Sequence, residues 1–86
     1  MLVISDKVTW KRVKKGAIIV DLNSGNYFTL NETATRIWEL LAEGKSLDEV
    51  QLSISGEFEG GTKEKVMADI QKQHDFFLTE GLFIKK

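Results

Sequence analysis

The chain has 86 residues, 42% hydrophobic and 29% charged, with a formal net charge of −1. That length fits about one small domain, and the composition fits a folded core rather than disorder, so 1–86 is expected to be a single domain. With no cysteine and one histidine, disulfides, thiol nucleophiles and Cys- or His-rich metal sites are excluded, and no apolar run approaches the ~18 residues of a membrane span.

The opening MLVISDKVTWKR carries no secretory apolar core. Together with the missing cysteines it suits a reducing cytoplasm, which is the expected location. Residues 1–20 hold five basic and one acidic side chain (net +4), 21–60 two and eight (−6), and 61–86 five and four (+1). The basic part gathers Lys11, Arg12, Lys14 and Lys15 beside Trp10. Solvated lysines on a first hairpin explain it more simply than a phosphate-binding arm does.

Residues 8–13 alternate weakly, Val8 and Trp10 against Thr9 and Lys11, and make a plausible first strand. Residues 16–22 are the clearest strand, apolar and β-branched through Ala17-Ile18-Ile19-Val20. Asn23-Ser24-Gly25 supplies a hairpin turn, with Gly25 suited to a positive φ. The third strand, 26–30, sets Tyr27 and Thr29 on one face and Phe28 and Leu30 on the other. A meander of these three leaves the third strand at the edge, unless the first folds across to cover it.

After Asn31 the period changes to helical. Asn31 is placed to cap a helix whose buried stripe is Ala34, Ile37, Trp38 and Leu41 and which stops at Gly44. Ser46-Leu47-Asp48-Glu49 is a capping box opening a second helix, expected to fade near Gly56. Thr62 opens the last helix, running to about Thr79, and Leu82, Phe83 and Ile84 follow Gly81 as an apolar tail. The expected fold is α+β, a three-stranded antiparallel sheet followed by three helices, winged helix-turn-helix-like.

No catalytic constellation emerges. His74 shares the stripe of Ile70 and Phe77, where a lone histidine is a core or boundary residue. Asp48 and Glu49 are explained by capping, and Gly60-Gly61-Thr62-Lys63 lacks the spacing of a phosphate loop. The residue that does not fit is Phe76, which falls about 80–100° off the apolar stripe of the last helix. It stands among Lys65, Asp69, Lys72 and Gln73. Two readings stay open: the ring packs under the tail or against the sheet, or it lines a groove for a partner. A groove beside an open strand edge suits an extended peptide.

The runs Gly16-Ala17-Ile18-Ile19-Val20-Asp21-Leu22, Ser24-Gly25-Asn26-Tyr27-Phe28-Thr29-Leu30-Asn31-Glu32-Thr33-Ala34 and Ile37-Trp38 resemble the PqqD-like family. So do Ser46-Leu47-Asp48-Glu49-Val50 and the closing Gly81-Leu82-Phe83-Ile84. These small proteins are named for coenzyme PQQ synthesis and serve as recognition elements for ribosomally made, post-translationally modified peptides. The stretch 51–61 is richer in glycine than that pattern, and Lys11 to Lys15 is more basic.

The resemblance implies a peptide chaperone with no catalysis and no cofactor of its own. Such a module captures the leader segment of a precursor peptide and presents it to a modifying enzyme, a radical-SAM maturase or a leader protease. It implies that the leader adds as an antiparallel strand along Asn26, Tyr27, Phe28, Thr29 and Leu30. The facing wall is then Lys65, Asp69, Lys72, Gln73 and Phe76 of the third helix. Two alternatives remain: a winged-helix DNA-binding protein, and a scaffold subunit that homodimerises through the edge strand. Nucleic acid is disfavoured because Lys63, Lys65 and Lys72 are balanced by Glu64, Asp69 and Asp75.

Overall fold

The computed structural model describes residues 2–57 and 62–86. Strands β1 (Leu2–Ile4), β2 (Val8–Val13), β3 (Gly16–Asp21) and β4 (Tyr27–Leu30) precede helices α1 (Glu32–Ala42), α2 (Leu47–Glu57) and α3 (Lys63–Thr79), and β5 (Phe83–Lys85) closes the order. Strands β2-β3-β4 form the antiparallel meander expected from their alternation. The N-terminal β1 does not cover β4. It pairs antiparallel with β5, Val3 opposite Ile84, in a separate two-stranded sheet.

That second sheet differs from the apolar tail expected at the C-terminus. Leu82 and Phe83 are buried, as a docked tail would have them, but Ile84 points away from the core and is exposed. The reason is a ladder: the Ser5 amide donates to the Leu82 carbonyl at 3.0 Å, and pairing with residues 2–4 then imposes a two-residue alternation. Three-residue strands carry too little pattern to be seen in sequence.

The helices begin and end where local chemistry sets them. The Asn31 side chain accepts from the Ala34 amide at 2.8 Å, capping α1. Ser46 and Glu49 satisfy each other's amides at the start of α2, and the Thr62 hydroxyl accepts from the Lys65 amide at that of α3. Both α1 and α3 end with a left-handed glycine, Gly44 and Gly81. There the Lys45 amide reaches back to the Leu40 carbonyl and the Leu82 amide to the Phe77 carbonyl.

The helices cover the inner face of the meander. Trp38 sits at the centre, fully buried, with ring centroids 5.0 Å from Phe77, 4.6 Å from Phe83 and 5.9 Å from Trp10, all edge-to-face. Ala17, Ile19 and Leu30 close that core from the sheet side.

Candidate functional site

The β3–β4 hairpin is fixed by Asp21. Its carboxylate accepts from the Asn23 and Ser24 amides at 2.9 and 3.3 Å, and Gly25 closes the turn at φ 80°. The Asn23 amide is the main cause holding the Asp21 carboxyl below its ordinary value. From this turn the register follows: Val20 faces Tyr27, Ile19 Phe28, Ile18 Thr29 and Ala17 Leu30.

Two further bonds decide where the backbone groups of β4 point. The Asp21 amide donates to Asn26 across the hairpin, and the Leu22 amide donates the other way, to Lys7. Antiparallel partners alternate between bonded and non-bonded pairs. Phe28 and Leu30 therefore exchange bonds with β3, while the amides and carbonyls of Tyr27 and Thr29 face outward. No strand lies on that side of β4 among the described residues. The side chains alternate too, Phe28 and Leu30 turning inward and Tyr27 and Thr29 outward.

Beside the open edge runs α3. Phe76 meets Phe28 edge-to-face at 5.6 Å and remains 37% exposed, so it both packs on the sheet and borders a cleft. That cleft, about 260 Å³, is lined by Thr29, Leu30, Asn31, Ala34, Lys72, Gln73 and Phe76. Lys65 and Asp69 are not in its lining; they are exposed on the preceding turns of α3, at spacings of seven and three residues before Lys72. Asn26 and Tyr27 lie at the far end of the edge, by the turn. At about 1.5 Å per residue, Lys65 to Phe76 covers about 16 Å, room for roughly five residues of extended chain.

Asn31 and Ala34 are the lining residues that the sequence does not flag. Each already has a role there, Asn31 as cap and Ala34 as core, and the signal for a second role is size. A larger residue at 34 would fill the floor of the cleft. Gly16 contributes indirectly: a Cβ on it would overlap the Leu30 carbonyl oxygen, so only glycine lets β4 lie this close to the start of β3.

Among the described residues no group of three His, Cys, Asp or Glu is placed to hold a metal ion, and Gly60 and Gly61 lie outside them. His74 is half-buried, with Nδ1 3.1 Å from Asp75. The hydrogen bonds from His74 and then Gln71 hold the Asp75 carboxyl below its ordinary value. No helix of the described residues is long and apolar enough to cross a membrane.

The profile of the family described as Coenzyme PQQ synthesis protein D (PqqD) matches residues 16–82. No curated protein sequence matches the chain. Two solved structures are similar over nearly the whole chain. TbiB1 in complex with the TbiA(beta) leader peptide has a TM-score of 0.86 at 27% identity, covering 98% of this chain and 96% of that one. Lasso peptide synthetase B1 complexed with the leader peptide has a TM-score of 0.87 at 23% identity, covering 98% of each. At that lower identity the second likeness is one of fold.

Proposed function

Because the chain belongs to the PqqD family, we propose that it captures the leader segment of a ribosomally made precursor peptide and presents it to a modifying enzyme. The leader adds to β4 as an antiparallel strand and lies in the cleft between β4 and α3. Its backbone bonds to the outward groups of Tyr27 and Thr29, within the edge Asn26 to Leu30. Alternate side chains meet the wall of Lys65, Asp69, Lys72, Gln73 and Phe76. Residues 1–86 act as one binding unit, without chemistry of their own, and the enzyme served is a radical-SAM maturase or a leader protease.

The observation that carries this reading is the coincidence of an uncharged strand edge, left without a partner strand among the described residues, with a cleft bordered by a partly exposed phenylalanine. The opposite edge, β2, carries Lys11 and Arg12, charges that commonly guard an edge against pairing. β4 carries none. The likeness to TbiB1, whose structure holds a leader peptide, supports the same reading.

Titration of the labelled precursor leader into the purified chain tests it. Phe76→Glu keeps the fold and weakens binding by about tenfold or more, since it sets an unpaired charge where apolar surface is covered. Unchanged affinity would remove the cleft from the account. Duplex DNA binding with a steep salt dependence would replace the reading with nucleic-acid recognition.

A further inference from the structure

The outer face of the meander is turned away from the helices. Solvated faces of antiparallel sheets are ordinarily polar. Here Val13, Ile18, Val20 and Tyr27 stand on the outward face beside Thr9, Lys11 and Thr29, with Ile18 39% and Tyr27 70% exposed. Leu22, exposed at the end of β3, extends the same side, whereas the exposed Leu52 and Ile84 stand singly elsewhere. Isolated apolar side chains at a surface are ordinary, but a gathered set marks a contact surface.

Four lysines border this patch. Lys11 lies directly opposite Ile18, the Lys7 carbonyl accepts from Leu22, and Lys14 and Lys15 form the turn beside Val13. All four lysines are exposed, and among the described residues none of them pairs with a carboxylate. The neighbouring Arg12 differs: it alternates to the inner face and is bound to Glu39 at 2.7 Å. The lysines are thus left over from intramolecular pairing and rim an apolar centre.

We infer that this face docks the peptide-modifying enzyme, through an apolar patch of that enzyme rimmed by acidic residues. The inference rests on the proposed function and adds a second surface to it. A leader strand added to β4 widens the same sheet, so its outward side chains continue this face past Tyr27 and Thr29. The enzyme then touches the module and the bound peptide together. Each partner raises the affinity for the other, as reciprocal coupling requires.

The test uses the purified chain, its precursor peptide and the enzyme that modifies that peptide. Two double variants, Lys11→Glu with Lys15→Glu and Lys11→Gln with Lys15→Gln, alter solvent-facing groups away from β4. Circular dichroism checks that they fold. Leader affinity stays within about twofold of wild type, while enzyme affinity falls about tenfold or more for the Glu pair and less for the Gln pair. Wild-type enzyme binding weakens as salt is raised. Folded variants that bind the enzyme as the wild type does overturn the inference and leave the peptide site standing. Lysine-dependent binding of duplex DNA in place of the enzyme also overturns it. A wild-type chain without affinity for the leader removes the proposed function itself, and the peptide titration reports that separately.

Discussion

Single residues fix what the rest of the molecule can do. Trp38 is the clearest case, fully buried against three aromatic rings, with an Nε1–H that has no hydrogen-bond partner among the described residues. Trp38→Ala is expected to cost about 3–5 kcal/mol, a large part of the ~5–15 kcal/mol that holds a domain folded. Trp38→Phe should cost less, because it keeps a ring and removes an unpaired donor. Denaturant unfolding of the two variants ranks them, and an equal loss would show that the indole hydrogen is bonded after all. Gly16 acts at the same scale but on geometry. Gly16→Ala must push the Leu30 carbonyl aside, so both thermal stability and leader affinity should fall. Stability lost with leader affinity retained would mean that the end of β4 does not shape the cleft.

Among the elements, β4 carries the sharpest expectation, because its register assigns each amide a direction. Thr29→Pro deletes an amide that faces away from β3, so the hairpin should fold while leader binding drops by about tenfold. Phe28→Pro deletes one that bonds within the ladder and should unfold the hairpin. Amide exchange on β3 separates the two outcomes, and equal damage from both prolines would refute the assigned alternation. The two ends of α3 are equally defined. Thr62 starts it and Gly81 stops it, which puts Phe76 one turn from the end, against Phe28.

Over the whole molecule, a line of ion pairs joins sheet to helices. Arg12 of β2 reaches Glu39 of α1, and Arg36 of α1 reaches both Glu39 at 3.6 Å and Glu57 of α2 at 2.8 Å. The Arg36 hydrogen bonds hold the Glu57 carboxyl below its ordinary value, and the Ser46 backbone amide does the same for Glu49. A carboxyl with a lowered value in the folded state contributes stability above its ordinary value, and that contribution fades as pH falls through the lowered one. Stability should therefore be flat through neutral pH and decline below about pH 4.5. Glu57→Gln should flatten part of the decline in thermal midpoint against pH, by a modest amount because the pair is exposed. An unaltered acid limb would assign the decline to other carboxylates.

The meander, the three capped helices, the stripe under α1 and the misfit of Phe76 were all legible in the chain, since each depends on residues within a few positions of one another. Alternation, caps and left-handed glycines are local physics. The β1–β5 sheet was not legible, because residues 2–4 and 83–85 acquire strand character only by meeting across 80 positions. The floor of the cleft was hidden for the same reason: Ala34 and Asn31 show local roles, and only the packing of α3 against β4 turns them toward a shared space. The local pattern determined which segments could pair and which side chains were spare. Tertiary packing decided which edge stayed open and what stood beside it, because those depend on contacts between residues far apart in the chain.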